Sequence, residues 1–224
     1  MKYGRYLLYL LPMLFTLFLL GCSSGSDDGT KPVAKTGTGL SGTAAAGKSL
    51  ANVTVALKGA NGKRLTETAD STGHYAFIDL DKKGVTAPYL LKVDSEGGKR
   101  LYSIAHVLAN SANTANIHPL SDVVARSWYH ARNRNIDAEF DDNNPIANLP
   151  AKTDIDAIVI ALTRLLEEAY VDFTIDSNFN FLGSSFSANG EGFAKLLDAI
   201  EVVINNTSVT IRLTDPISGS VAII

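Results

Sequence analysis

Residues 42–57 read Gly42-Thr-Ala-Ala-Ala-Gly-Lys-Ser-Leu-Ala-Asn-Val-Thr-Val-Ala-Leu57, and the fold turns on what the two halves of this stretch become. The first half, Gly42 to Ser49, fits the phosphate-loop pattern G-x-x-x-x-G-K-[ST] at every fixed position. Such a loop needs a buried strand before it and a helix starting at the Lys-Ser, whose backbone amides hold the phosphates. The preceding Ala34-Lys-Thr-Gly-Thr-Gly-Leu-Ser41 is too polar and glycine-rich for a buried strand. The second half alternates: Val53, Val55 and Leu57 against Thr54, Ala56 and Lys58, which is the period of a strand. Gly42 to Ser49 is therefore expected to be a strand-to-strand loop without a nucleotide partner. The overlapping G-x-G-x-x-G match, Gly37 to Gly42, fails on the same grounds.

Outward from this stretch the two-residue period continues. Tyr75 and Phe77 share one face of the next run, and Tyr89, Leu91 and Val93 share one face of another. Leu101 to Val107 is a further apolar-rich run. The breaks carry turn chemistry at Gly59-Ala-Asn-Gly62, Asp70-Ser-Thr-Gly73 and Ser95-Glu-Gly-Gly98. Short strands at close, regular spacing imply an antiparallel β-sandwich over residues 38–112. Val55, Tyr75, Phe77 and Leu91 are expected to face its interior, with Thr54 and Lys58 facing water.

From about Asn113 the period becomes helical. Pro119 opens a run in which Leu120, Val123, Val124, Ser127, Trp128 and Ala131 recur at helical spacing. Trp128 on this stripe is expected in the core, with Arg126, Tyr129, Arg132 and Arg134 exposed. Thr153-x-x-Asp156 resembles a capping box. Behind it Ile155, Ile158, Val159, Leu162, Leu166 and Ala169 form one stripe, widened by Ile160 and Ala161 into a helix buried on much of its circumference. A third helix begins near Glu191, and EVVIN and VTIRL close the chain as a hairpin around Asn206-Thr207. The expected class is α+β in two modules: a sandwich over 38–112 and a mainly helical module with a closing β-hairpin over 113–224.

The N-terminal residues carry an address. Lys2 and Arg5 precede an apolar run from Leu7 to Leu20, about fourteen residues where a membrane-spanning helix needs roughly 20. Residues 1–21 read as an export signal and residues 22–37 as a flexible polar tether. Leu19-Leu20-Gly21-Cys22 resembles the lipobox of bacterial lipoproteins. That resemblance implies a diacylglycerol thioether and an N-acyl chain, such as palmitate, on Cys22, the chain's single cysteine. Ser23, rather than an inner-membrane-retaining aspartate, implies outer-membrane sorting in a Gram-negative host. Without residues 1–21, 20 bases against 23 acids become 18 against 23, a net charge of −5, which offers no footprint for nucleic acid.

The segment Gly39 to Phe77 resembles the carboxypeptidase-regulatory-like domains, whose fold is transthyretin-like. The parts that carry the likeness are Gly39 to Thr43, Leu50-Ala-Asn-Val-Thr-Val55, Gly62-Lys63 and Asp70-Ser-Thr-Gly-His-Tyr-Ala-Phe77, with Ala69 where the family has threonine. Asn113 to Ser121 and Phe186 to Asn205 are similar to segments of bacterial surface lipoproteins of unassigned function. That group brings no catalytic residues to this chain.

Chemistry-bearing patterns are sparse. His74, His106, His118 and His130 form no H-x-x-x-H, and are expected on the surface or at caps rather than on a metal. G-x-S-x-G and S-x-x-K are lacking beyond residue 22, and no C-x-x-C-H exists for haem. Glu167-Glu168 and Asp141-Asp142 are adjacent carboxylates that do not face each other across a cleft. Asp176-x-Asn178-x-Asn180 opens like a calcium loop, but Phe181 replaces the glycine and Ser187 the glutamate. The expectation is a non-catalytic, lipid-anchored envelope protein without cofactor, with an envelope protein or a glycan as partner. The alternative is an envelope hydrolase, which needs a pocket-lining pair among Asp137, Glu139, Asp141, Asp142 and Asp172, flanked by Trp128.

Overall fold

The structure, a computed structural model, describes residues 37–109, 111–204, 209–214 and 221–223. The signal, the tether and Cys22 lie outside the described residues, as does Asn206-Thr207. The described residues form one compact unit.

The strands β1 (Gly39–Thr43), β2 (Ala45–Ala46), β3 (Lys48–Ser49), β4 (Thr54–Gly59), β5 (Arg64–Thr68), β6 (His74–Phe77), β7 (Tyr89–Asp94), β8 (Arg100–Ala105) and β9 (Ala112–Thr114) come first. Helices α1 (Pro119–His130), α2 (Ile136–Asp141), α3 (Lys152–Leu165), α4 (Glu167–Asp172) and α5 (Phe193–Ala199) follow, then β10 (Ile200–Ile204), β11 (Val209–Thr214) and β12 (Val221–Ile223). The chain is thus mixed α and β, and β10–β11 is the expected antiparallel hairpin, extended by β12.

The quoted stretch resolves as short strands joined by turns. β1 runs to Thr43, β2 and β3 pair across Gly47, and β4 follows; no helix begins at Lys48. Gly47 turns the hairpin at φ +87°, a conformation glycine adopts without strain. Gly42 has a different constraint, because a Cβ there would sit 1.6 Å from the Ala115 carbonyl oxygen.

β6-β1-β9 form a three-stranded sheet and β5-β4-β7-β8 a four-stranded one. Their facing residues share one hydrophobic cluster: Leu40, Tyr75 and Phe77 from the first, Val55, Leu57, Leu91 and Val93 from the second. The register puts Val55 beside Val93 and Leu57 beside Leu91 on that face. Val55, Tyr75, Phe77 and Leu91 are all at most 1% exposed, and Thr54 is exposed.

Lys58 is the correction. It is fully buried, because the opposite face of the four-stranded sheet does not meet water. Leu90, Tyr102 and Ile104 on that face belong to a second cluster with Val124, Trp128 and Phe140 of the helices. The four-stranded sheet is therefore a middle layer with both faces covered. The Lys58 ammonium donates to the Glu139 carbonyl (2.5 Å), the Asp142 carbonyl (3.0 Å) and Asp142 Oδ1 (2.8 Å) at the C-terminal end of α2. That end carries the partial negative charge that favours a cation.

The helices differ from expectation in further places. Ala131, placed on the apolar stripe, is exposed, and Arg126 and Arg134, expected exposed, are half-buried by their ion pairs. α3 begins after Ala151 with no side-chain cap, so Thr153 is not a cap residue. Ile160, 52% exposed, and Ala161 face outward, so α3 buries one stripe only, and the chain breaks at Leu166 into α4. Tyr129 is buried rather than exposed, since it packs beside Trp128 with ring centroids 5.1 Å apart.

Candidate functional site

α1 begins with a reciprocal cap. The His118 ring accepts the Ser121 N–H, and the Ser121 hydroxyl accepts the His118 N–H. With Nδ1 accepting, Nε2 carries the hydrogen and donates to the Phe181 carbonyl at 2.9 Å. Burial depresses the imidazole pKa to about 4, against the raising effect of that hydrogen bond. Pro119 at the first helical position gives up no needed N–H. This cap fixes the start of a helix whose next turns carry Asp122, Arg126, Tyr129 and His130 into a cavity of about 520 Å³.

The opposite walls come from Lys99 and Arg100 at the start of β8, Arg134 to Asp137 before and in α2, and Val202 to Ile204 of β10. Arg126 organises the floor. Its Nε donates to both Asp122 oxygens at 3.0 Å, its Nη1 to Asp137 at 2.9 Å and its Nη2 to the Arg100 carbonyl at 3.2 Å. The guanidinium also lies 5.0 Å from the centre of the Tyr102 ring. Asp122 is 2% exposed and also accepts the Tyr102 N–H. Burial raises its pKa to about 6, with Arg126 acting in the opposite direction. Burial opposes ionisation of Asp137 as well, but hydrogen bonds from Arg126 and Tyr102 outweigh it and hold that carboxyl below its usual range.

Two carboxylates with pKa values pushed apart are the raw material of acid–base catalysis. Here both engage one guanidinium, and both Asp122 oxygens are directed at it. The pair holds the Arg126 guanidinium in place.

The sequence-named residues fall as follows. Among the five carboxylates named for a hydrolase, Asp137 alone lines this cavity. Glu139 is buried against Arg134 and the Ala147 N–H; Asp141 and Asp142 pair with Arg100 and Lys58. Asp172 lines a separate depression with Glu191 and Lys195. Trp128 is core, donating its Nε1–H to Asp154 at 3.0 Å under the Arg132 guanidinium. Glu167 and Glu168 are exposed at the start of α4.

His74 and His130 are exposed, His106 meets the Pro150 carbonyl at 2.8 Å, and His118 is the buried cap. Among the described residues no cluster of three His, Cys, Asp or Glu is placed to hold a metal. Asp176 and Asn180 accept backbone N–H groups of their own loop, and Phe181 is fully buried beneath it.

Sequence reasoning missed Asp122, Lys99 and Arg100. For Asp122 a signal existed: an acid four residues before Arg126, inside an apolar helical run, is an i,i+4 pair carried toward the core. Lys99 and Arg100 follow Gly97-Gly98 as ordinary turn-flanking bases, and their role depends on α1 and β10, remote in sequence. Other cavities lie near Asp70, His74 and Phe186, about 480 Å³, and between the apolar Val123, Ile158 and Ile211, about 350 Å³. No helix among the described residues is long and apolar enough to cross a membrane. Comparison of the chain with protein-family models and with curated proteins finds no match.

Proposed function

We propose that this is a lipid-anchored cell-envelope protein, outer-membrane sorted in a Gram-negative host, whose folded part binds or scaffolds a partner without catalysing a reaction. The observation that carries the anchor is Leu19-Leu20-Gly21-Cys22 at the end of a basic-then-apolar leader and ahead of a polar tether. Two or more acyl chains on Cys22 hold a protein stably on a bilayer where one chain does not. The facing sheets of three and four strands support the transthyretin-like, carboxypeptidase-regulatory-like reading of residues 38–112. The binding role is supported by a cavity whose carboxylates engage Arg126 while several donors stay unengaged. An envelope protein or a glycan remains the partner class.

Metabolic labelling with a radioactive fatty acid tests the anchor. Label is expected in the wild-type chain and absent from Cys22→Ser, which should leave the membrane fraction or persist as uncleaved precursor. Equal labelling of both chains rejects the lipoprotein assignment.

A further inference from the structure

The residues around the large cavity divide by what hydrogen-bonding capacity they retain. The acceptors are engaged: Asp122 by Arg126 and the Tyr102 N–H, Asp137 by Arg126 and the Tyr102 hydroxyl. The Asn135 side-chain oxygen Oδ1 caps α2 by accepting from the Asp137 and Ala138 N–H groups. The donors are not. Lys99 is exposed and makes no side-chain hydrogen bond or ion pair among the described residues. The Asn135 side-chain NH₂ has no partner there either. Arg126 has five N–H groups, and one on each terminal nitrogen remains over. Tyr129, 1% exposed, lines the same cavity, and its buried hydroxyl meets no partner. A buried hydroxyl without a partner is uncommon, because it forfeits the hydrogen bond it had in water.

Charge points the same way. Lys99, Arg100, Arg126 and Arg134 all line the cavity, whereas only two of the carboxylates that balance them, Asp122 and Asp137, do so. Asp141 and Glu139, which pair with Arg100 and Arg134, are outside the lining. A ligand in the cavity is thus closer to the cations than to their full set of counter-ions. Val202 and Ile204 add an apolar wall. The volume of about 520 Å³ suits a small organic molecule.

We propose that this cavity binds a small organic oxyanion, a carboxylate or phosphate bearing a short apolar group. Lys99 and the free N–H groups of Arg126 and Asn135 receive the oxyanion, and Val202 and Ile204 receive the apolar part. The site gives chemical content to the binding role and is independent of the anchor. Head-group phosphates of a membrane and free carboxylates in solution share this chemistry.

The test is calorimetric titration of the full chain, solubilised in an uncharged detergent, with hexanoate and with its neutral isostere hexanamide. The outcome therefore does not depend on whether Cys22 is acylated. Saturable hexanoate binding is expected, with hexanamide weaker by about tenfold or more, the equivalent of about 1.4 kcal/mol. Lys99→Glu breaks no hydrogen bond or ion pair among the described residues but reverses a charge that favours the Asp122 carboxylate. With its fold checked by circular dichroism it should lose the hexanoate heat, and Lys99→Gln, which only removes the charge, should weaken hexanoate binding too. Raising salt should weaken binding at this solvent-open site. Competition by micelles containing phosphatidylglycerol would assign the natural ligand to lipid head groups, and failure to compete would assign it to soluble anions. Absence of saturation by hexanoate, equal binding of hexanamide, or an unchanged Lys99→Glu would each overturn the proposal.

Discussion

Burying a lysine costs free energy unless its three N–H groups find acceptors, and Lys58 meets that condition with two carbonyls and one carboxylate at the end of α2. Lys58→Met keeps the apolar stem and deletes the ammonium, leaving the Glu139 carbonyl without that donor. The variant should lose about 2 kcal/mol or more in a denaturant titration. A loss within about 0.5 kcal/mol, as for an ordinary surface position, would show the contact to be dispensable. Phe77, fully buried between the sheets, belongs to a different mechanism. Its change to alanine removes transfer energy and leaves a cavity, an expected loss of about 3–5 kcal/mol by the same measurement. Period-two alternation identified Phe77 correctly as inward. It misread Lys58, because alternation separates two faces of a strand without saying what covers the second. The group that covers it lies 81 residues away.

At the scale of elements, the cap of α1, His118, and Asp122 in its first turn are buried titratable groups whose pKa values are shifted in opposite senses. His118 is protonated below about 4 when folded but below about 6.5 when unfolded, so its contribution to stability is lost as pH falls through that interval. The full effect is about 3 kcal/mol. Asp122 takes up its proton at about 6 when folded and at about 3.8 when unfolded, so acidification favours the folded chain over nearly the same interval. Arg126 and Lys99 face Asp122, and aromatic rings and the Phe181 carbonyl face His118.

The contributions of His118 and Asp122 to the unfolding midpoint of the wild type should therefore largely cancel between pH 6 and pH 4, leaving the smaller acid loss of carboxyls held below their usual range, such as Asp137. Asp122→Asn should become acid-labile, and His118→Asn should gain stability on acidification. Slopes of the same sign in the two variants would contradict the assignment. The run of α1 from Pro119 was readable from its spacing, and so was the core position of Trp128. The reciprocal cap was not, since histidine is an unusual cap residue and Phe181 completes the arrangement from a distant loop. Ile160 was misassigned because an apolar side chain on a helix gives no sign of whether a neighbour reaches it.

At the scale of the molecule, the four-stranded sheet is shared property. One face belongs to the cluster with β1 and β6, the other to the cluster with the helices. Residues 37–114 produced alone should therefore expose Leu90, Tyr102 and Ile104 and leave Lys58 without its acceptors. Such a fragment is expected to aggregate or bind a hydrophobic dye, and a soluble, cooperatively unfolding fragment would show that the sheets suffice without the helices.

The position of β1 has a further consequence. It is the middle strand of its sheet, antiparallel to β6 and parallel to β9, and everything N-terminal to Gly37 enters the fold through it. The Thr43 N–H is held by the Asn116 side chain, the Ala44 N–H by the Gly73 carbonyl, and the Ala45 N–H by the Ile117 carbonyl. Tension arriving from the N-terminal side pulls along the axis of a strand bonded on both edges. The bonds then share the load in shear instead of opening one after another, so the fold is gripped mechanically at one of its most cross-linked strands.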